Sequence, residues 1–162
     1  MPLIHETGAG LAGAESYASV QYATTYHGAR GNAAWADADL DVQESSLRKA
    51  TDYIEATYGP RFAGTPLTPT QGLSVPRQPS PLGNVVPAPA SRATAELALK
   101  VISGVDLFPD AAPAVAKEKI DVIETTYITS TGPRFPFVDA LLAPLLKPSG
   151  AAGSVAVKLF RV

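Results

Sequence analysis

The chain has 162 residues, 46% of them hydrophobic, with 13 lysines and arginines against 15 carboxylates and a formal charge of −2. That length holds one core and is short for two. The charge balance, with basic residues scattered singly except at Arg48-Lys49 and the Lys117/Lys119 pair, lacks the stripe that phosphate neutralisation demands. The absence of cysteine excludes disulfides, zinc-thiolate sites and cysteine nucleophiles.

The N-terminal stretch MPLIHETGAGLAGAE has neither a basic head nor an apolar run of signal-peptide length, and no stretch approaches the roughly 18 apolar residues of a membrane span. A soluble, intracellular protein is expected. Gly8 to Gly13 spell GAGLAG, which superficially matches the dinucleotide fingerprint GxGxxG. That fingerprint needs a buried strand before it and a helix at its third glycine. Here only PLIHET precedes it and the next helix starts too late, so a turn is expected.

The first helical run starts after Ser19, a good N-cap, and continues VQYATTYHGAR until Gly31 offers a left-handed C′ position. Val20, Ala23 and the pair Tyr26/His27 share one face. The following corner, NAAWADADLD, holds the only tryptophan. Trp35 next to Asp37, Asp39 and Asp41 suits a core cap better than a base-stacking platform, since those carboxylates repel phosphate. His27 reads as a hydrogen-bonded residue near the last carbonyls of its helix rather than as a general base served by Asp37 or Asp39.

The second helix has Asp41 as N-cap and Glu44 three residues on, a capping box, then an apolar stripe of Leu47, Ala50, Ile54 and Tyr58 that ends at Gly59-Pro60. Glu44, Arg48, Lys49, Asp52 and Glu55 form its outer face. Residues 60–89 are too rich in proline for a helix or an inner strand, yet carry Phe62, Leu67, Leu73, Val75, Leu82, Val85 and Val86. Pure linkers lack such residues, so an ordered connector packed over the helices is expected.

A third, alanine-rich helix starts at Pro87-x-Pro89 and runs to Gly104, with Ala90, Leu97, Ala98, Val101 and Ile102 apolar over a wide arc. Such a helix is central. From Lys117, β-branched and aromatic residues accumulate through KEKIDVIETTYITS, predicting a strand over 117–130. After the turn Thr131-Gly132-Pro133, a short helix starts near Pro136 with Val138, Leu141, Leu142 and Leu145. The tail SVAVKLFRV predicts a C-terminal strand that needs a partner edge.

The expected fold is therefore mainly α: a small bundle of about four helices with extended β-like arms, one domain over 1–162. Its helical core spans about 19–146, its proline-rich connector 60–89 and its C-terminal arm 150–162. Two histidines, His5 and His27, are too few and too far apart for a metal site, and no catalytic triad, carboxylate pair or nucleophile elbow is specified by spacing. No enzyme activity, cofactor or metal is expected.

Taken together, PLIHETGAGLAGAESYAS, YHGARGNAAW, LRKATDYIEATYGPRFAG, PTQGLSVPR, ASRATAELALKVISG, KEKIDVIETTY and FPFVDALLAPLL resemble a family of tailed-phage and prophage proteins that carries the label DnaT-like single-stranded DNA-binding protein. The resemblance spans nearly the whole chain. It implies a structural virion protein: a head-tail connector, or adaptor, in the phage neck, made in the bacterial cytoplasm. The implied assembly is a twelvefold homo-oligomeric ring between the portal protein and a tail-side stopper or terminator, with packaged double-stranded DNA passing through its lumen. The expected interface residues are Tyr127, Ile128 and Phe135 on one arm and Val155, Val157, Leu159, Phe160 and Arg161 on the other. Single-stranded DNA binding is the rival reading.

Overall fold

The computed structural model describes residues 1–79, 84–109 and 135–148, together with the backbone of two strands between 117 and 126. Five helices form the body: α1 (Val20–Gly28), α2 (Ala33–Ala36), α3 (Leu40–Tyr58), α4 (Ala88–Ile102) and α5 (Pro136–Leu142). Two short antiparallel pairs accompany them, β1 (Thr65–Pro66) with β2 (Arg77–Gln78), and β3 (Lys117–Ile120) with β4 (Ile123–Thr126). The mainly helical fold expected from the sequence is the fold observed.

α3 and α4 make the most extensive helix pair, and α5, α1 and α2 each pack on α4. The reason is legible in side-chain size. α4 buries Ala90, Ala93, Thr94, Ala95, Leu97 and Ala98, mostly small residues that let neighbouring backbones approach. α3 contributes the larger Leu47, Ile54 and Tyr58, each at most 1% exposed. Each such side chain contributes roughly 1.5–3 kcal/mol on burial, so the 3.6-residue stripe alone accounts for α3's attachment.

Three boundaries differ from the sequence expectations. α1 is capped as expected, Ser19 Oγ accepting from Tyr22 N at 3.1 Å, but ends at Gly28, and the left-handed Gly31 (φ 68°) lies beyond its cap Ala29. α3 starts at Leu40 with Asp39 at the N-cap, so the Asp41–Glu44 capping box does not form. Glu44 instead accepts from Leu3 N and sits 3.7 Å from Arg48, a long-range partner outcompeting the local one. The strand expected over 117–130 is two four-residue strands, with Lys117 opposite Thr126 and Ile120 opposite Ile123. Sequence composition merges these two β-prone runs into one, because it does not show which residues pair. Residues 127–134 and the C-terminal arm 150–162 lie outside the described residues.

Among its described residues, 60–79 and 84–89, the proline-rich connector buries Phe62, Leu73 and Val75. Its β1–β2 pair is short because proline interrupts ladder hydrogen bonding. Arg77 fastens it from within, donating from Nε to Ser74 O and from Nη1 to Phe62 O. At its start Ala63 N donates to Leu145 O and Lys147 N to Arg61 O, which ties the connector to the turn that follows α5.

Candidate functional site

Three constellations carry enough chemistry to be candidates, and the first two are already satisfied internally. The GAGLAG loop does cradle an anion, and that anion is Glu6. Its Oε1 accepts from Thr7 N (3.1 Å), Gly8 N (2.8 Å) and Gly10 N (2.9 Å), and its Oε2 from Leu11 N (2.8 Å), with the residue only 2% exposed. Successive backbone N–H groups turned inward make an anion nest. Here the chain fills it. Gly8 is indispensable to the arrangement, since φ is +104° and a Cβ would stand 2.2 Å from Asn84 O.

The corner around His27 and Trp35 is likewise closed. His27 is fully buried, with Nε2 3.0 Å from Ala95 O and Nδ1 3.0 Å from Asn32 Nδ2. A carbonyl can only accept and an amide nitrogen only donate, so the imidazole is neutral with its proton on Nε2. Burial pushes its pKa below the usual value, in agreement. Both nitrogens are committed, which leaves no lone pair for a base. Its partner is a carbonyl of α4, not the expected end of its own helix, because the ring points across the helix interface. Trp35 is 1% exposed and donates Nε1–H to Thr24 Oγ1 at 3.1 Å, so it caps the core as expected.

A similar closure holds the connector to α3. Glu55 accepts from Ser74 N and Ser74 Oγ, and from the Tyr17 hydroxyl, which itself accepts from Val75 N. Burial, then the Glu55 charge, push the Tyr17 hydroxyl far above its ordinary pKa, so it stays a donor at every accessible pH. Glu55 and Arg48, expected on the solvent face, are half-buried here because the N-terminal segment and the connector cover them.

The third constellation faces outward. Tyr53 of α3 stands at the centre of an aromatic cluster, edge-on to Phe135 (5.4 Å between centroids), Phe108 (6.1 Å) and Tyr58 (6.4 Å). Phe108 and Phe135 flank residues 109–134, so the segment carrying β3 and β4 leaves and rejoins the body at one clasp. Phe108 is 49% exposed and Phe137 58%. Lys100 Nζ lies 5.9 Å from the Phe135 ring and the Arg61 guanidinium 5.8 Å from that of Tyr58. Beside the clasp, Lys49, Val101, Gly104, Val105, Asp106, Leu107 and Phe108 line a cleft of about 360 Å³.

Edge-to-face rings fix geometry and bury area at low entropic cost, and exposed aromatics beside cations are what interfaces use. This cluster is the candidate site. Of the expected interface residues only Phe135 belongs to it, half-buried against Tyr53. Tyr127, Ile128, Val155, Val157, Leu159, Phe160 and Arg161 lie outside the described residues. Tyr53 and Phe108 were missed because they come from separate helical and loop segments, and nothing local marks them as neighbours. Among the described residues no group of three or more histidines and carboxylates is placed to hold a metal, and no helix is long and apolar enough to cross a membrane.

Fold and surface together define a small helical protein whose polar interior is closed and whose outward chemistry is an aromatic clasp. Over residues 1–162 the chain matches the family described as "Putative DnaT-like ssDNA binding protein", and it belongs to that family. No curated protein and no solved structure matches it.

Proposed function

We propose that the protein is a structural head-tail connector, an adaptor that assembles as a ring between a portal and the tail of a tailed phage and lets double-stranded DNA pass. The observation that carries this reading is the clasp. One body face holds both feet of the segment bearing the β3–β4 pair and exposes aromatic side chains beside them. A two-stranded pair is marginal in water until another strand or a helix covers it, which suits a part that docks on a neighbour. The twelvefold number, the portal and tail-side partners and the virion location follow from the resemblance and belong to the proposal.

Single-stranded DNA binding is the second reading, and it has specific support. The family description names it. The clasp also brings Phe108 near Lys49 and Phe135 near Lys100, an aromatic-cation grouping absent from the linear sequence. A single-strand site needs a cationic groove tracking about 4–16 nucleotides. Against that, Arg30 is bound to Tyr26 O and Arg48 to Glu15 and Met1 O, while Arg77 is held by backbone carbonyls. The dispersed cations favour the connector.

Two binding measurements on one preparation separate the readings. Cosedimentation with the portal, together with fluorescence anisotropy on a labelled oligonucleotide, is expected to give portal binding and no salt-sensitive oligonucleotide binding. Removing residues 154–162 is expected to abolish portal attachment while the helical body stays folded. Tight oligonucleotide binding without portal binding refutes the connector.

A further inference from the structure

The loop that cradles Glu6 faces two ways. Its N–H groups turn inward to the carboxylate, and its carbonyls turn outward to the proline-rich connector. The peptide that joins Gly10 to Leu11 does both at once: Leu11 N donates to Glu6 Oε2 at 2.8 Å, and Gly10 O accepts from Thr68 Oγ1 at 3.2 Å. One residue on, Leu11 O accepts from Gly72 N at 2.9 Å. Backbone meets backbone on either side of these bonds. A Cβ on Gly72 would stand 2.7 Å from Ala12 O, and one on Gly8 2.2 Å from Asn84 O.

The connector is secured differently along its length. Ser74 and Val75 are held by Glu55 and the Tyr17 hydroxyl. Over 67–72 its bonds run largely within itself, Leu67 N to Pro76 O, Thr68 N to Gln71 Oε1, and Gln71 Nε2 to Leu73 O and Pro76 O. The bonds that join Thr68 and Gly72 to the body end on Gly10 and Leu11. Those two residues keep their places because their N–H groups converge on an anion; without one, the same N–H dipoles repel each other. A peptide that donates to a carboxylate is also a better acceptor at its carbonyl.

We propose that the GAGLAG loop is a carboxylate-binding site that Glu6 fills as an internal ligand, and that its occupation seats connector residues 67–72 on the body. The ligand class follows from the donors: four N–H groups within 3.1 Å of two oxygens, with no cationic side chain among them. The N-terminal segment and this part of the connector then form one latch, and neither lifts without the other. The latch does not depend on the portal reading.

Glu6→Ala deletes the atoms of one acetate, so sodium acetate is the probe and sodium chloride at equal concentration the salt control. The backbone beneath the nest stays tied in this variant, since Glu6 N donates to Ser16 O at 2.8 Å. In urea denaturation followed by Trp35 emission, acetate at ten times its dissociation constant is expected to raise the folding constant of the variant about elevenfold. The wild type, its nest already full, is expected to keep its value in chloride. Hydrogen exchange of the wild type is expected to show the amides of Gly10, Leu11 and Gly72 opening together, with protection factors equal within about threefold. The Gly72 amide is expected to exchange faster in Glu6→Ala and to slow again in acetate. A variant that gains no more from acetate than the wild type does, folded or not, overturns the carboxylate site. Acetate that restores the folding constant while Gly72 still exchanges fast overturns the seating of the connector, as does a wild type in which Gly72 opens apart from Gly10 and Leu11.

Discussion

Glu6→Gln tests the filled nest most sharply, because it changes charge and one acceptor while keeping shape. The carboxylate takes three N–H donors on Oε1 and one on Oε2. An amide can keep its oxygen toward Thr7, Gly8 and Gly10, but its NH₂ then faces the Leu11 N–H, donor against donor. Hydrogen bonds to charged groups contribute about 1.5–3 kcal/mol each and neutral ones about 0.5–1.5, while a buried donor left unpaired costs about 1–3. Summing these overstates the effect, because residues 6–11 can open to water once the nest fails. The expected loss is about 2–4 kcal/mol, a large share of the 5–15 kcal/mol that holds a domain together. Urea denaturation followed by Trp35 emission measures it. A variant within about 0.5 kcal/mol of wild type refutes the nest as a stabilising element.

Other outcomes follow from the same geometry. His27 is buried neutral with its pKa depressed, so the unfolded chain binds the extra proton first and stability falls as pH drops below about 6.5, levelling off below the depressed folded value, with a slope of at most about 1.4 kcal/mol per pH unit. Urea midpoints at successive pH values should show that slope in the wild type and its loss in His27→Gln, and an equal slope in both contradicts the assignment. Tyr58→Phe removes the bond to Asp139, which is exposed and regains water, so a loss of about 1 kcal/mol is expected in the same denaturation assay. Gly64→Ala places a Cβ 2.4 Å from Gln78 O at φ +79°, and is expected to lower the melting temperature and to expose the β1–β2 pair to proteolysis. Trp35 is 1% exposed, so its emission should be blue-shifted and unquenched by oligonucleotide.

What the sequence made legible was periodicity. Leu47, Ala50, Ile54 and Tyr58 at helical spacing predicted the buried face of α3, and the small-residue arc of α4 predicted its central place. What stayed hidden depends on long-range partners. Asp41 and Glu44 satisfy the pattern of a capping box, yet Glu44 is drawn off by Leu3 and Arg48, 41 and four residues away along the chain. GAGLAG was recognisable as an unusual glycine loop, but the identity of its anion required seeing Glu6 curl back on it. The clasp was the least legible part. Tyr53, Phe108 and Phe135 meet only after α3, α4 and α5 have packed, and no local spacing announces that meeting.

The connector reading is tested most directly by electron microscopy of the purified protein mixed with its portal, beside the protein alone. The account predicts a ring stacked on the portal. An intact portal left bare, with the protein bound instead to single-stranded oligonucleotide, would contradict it.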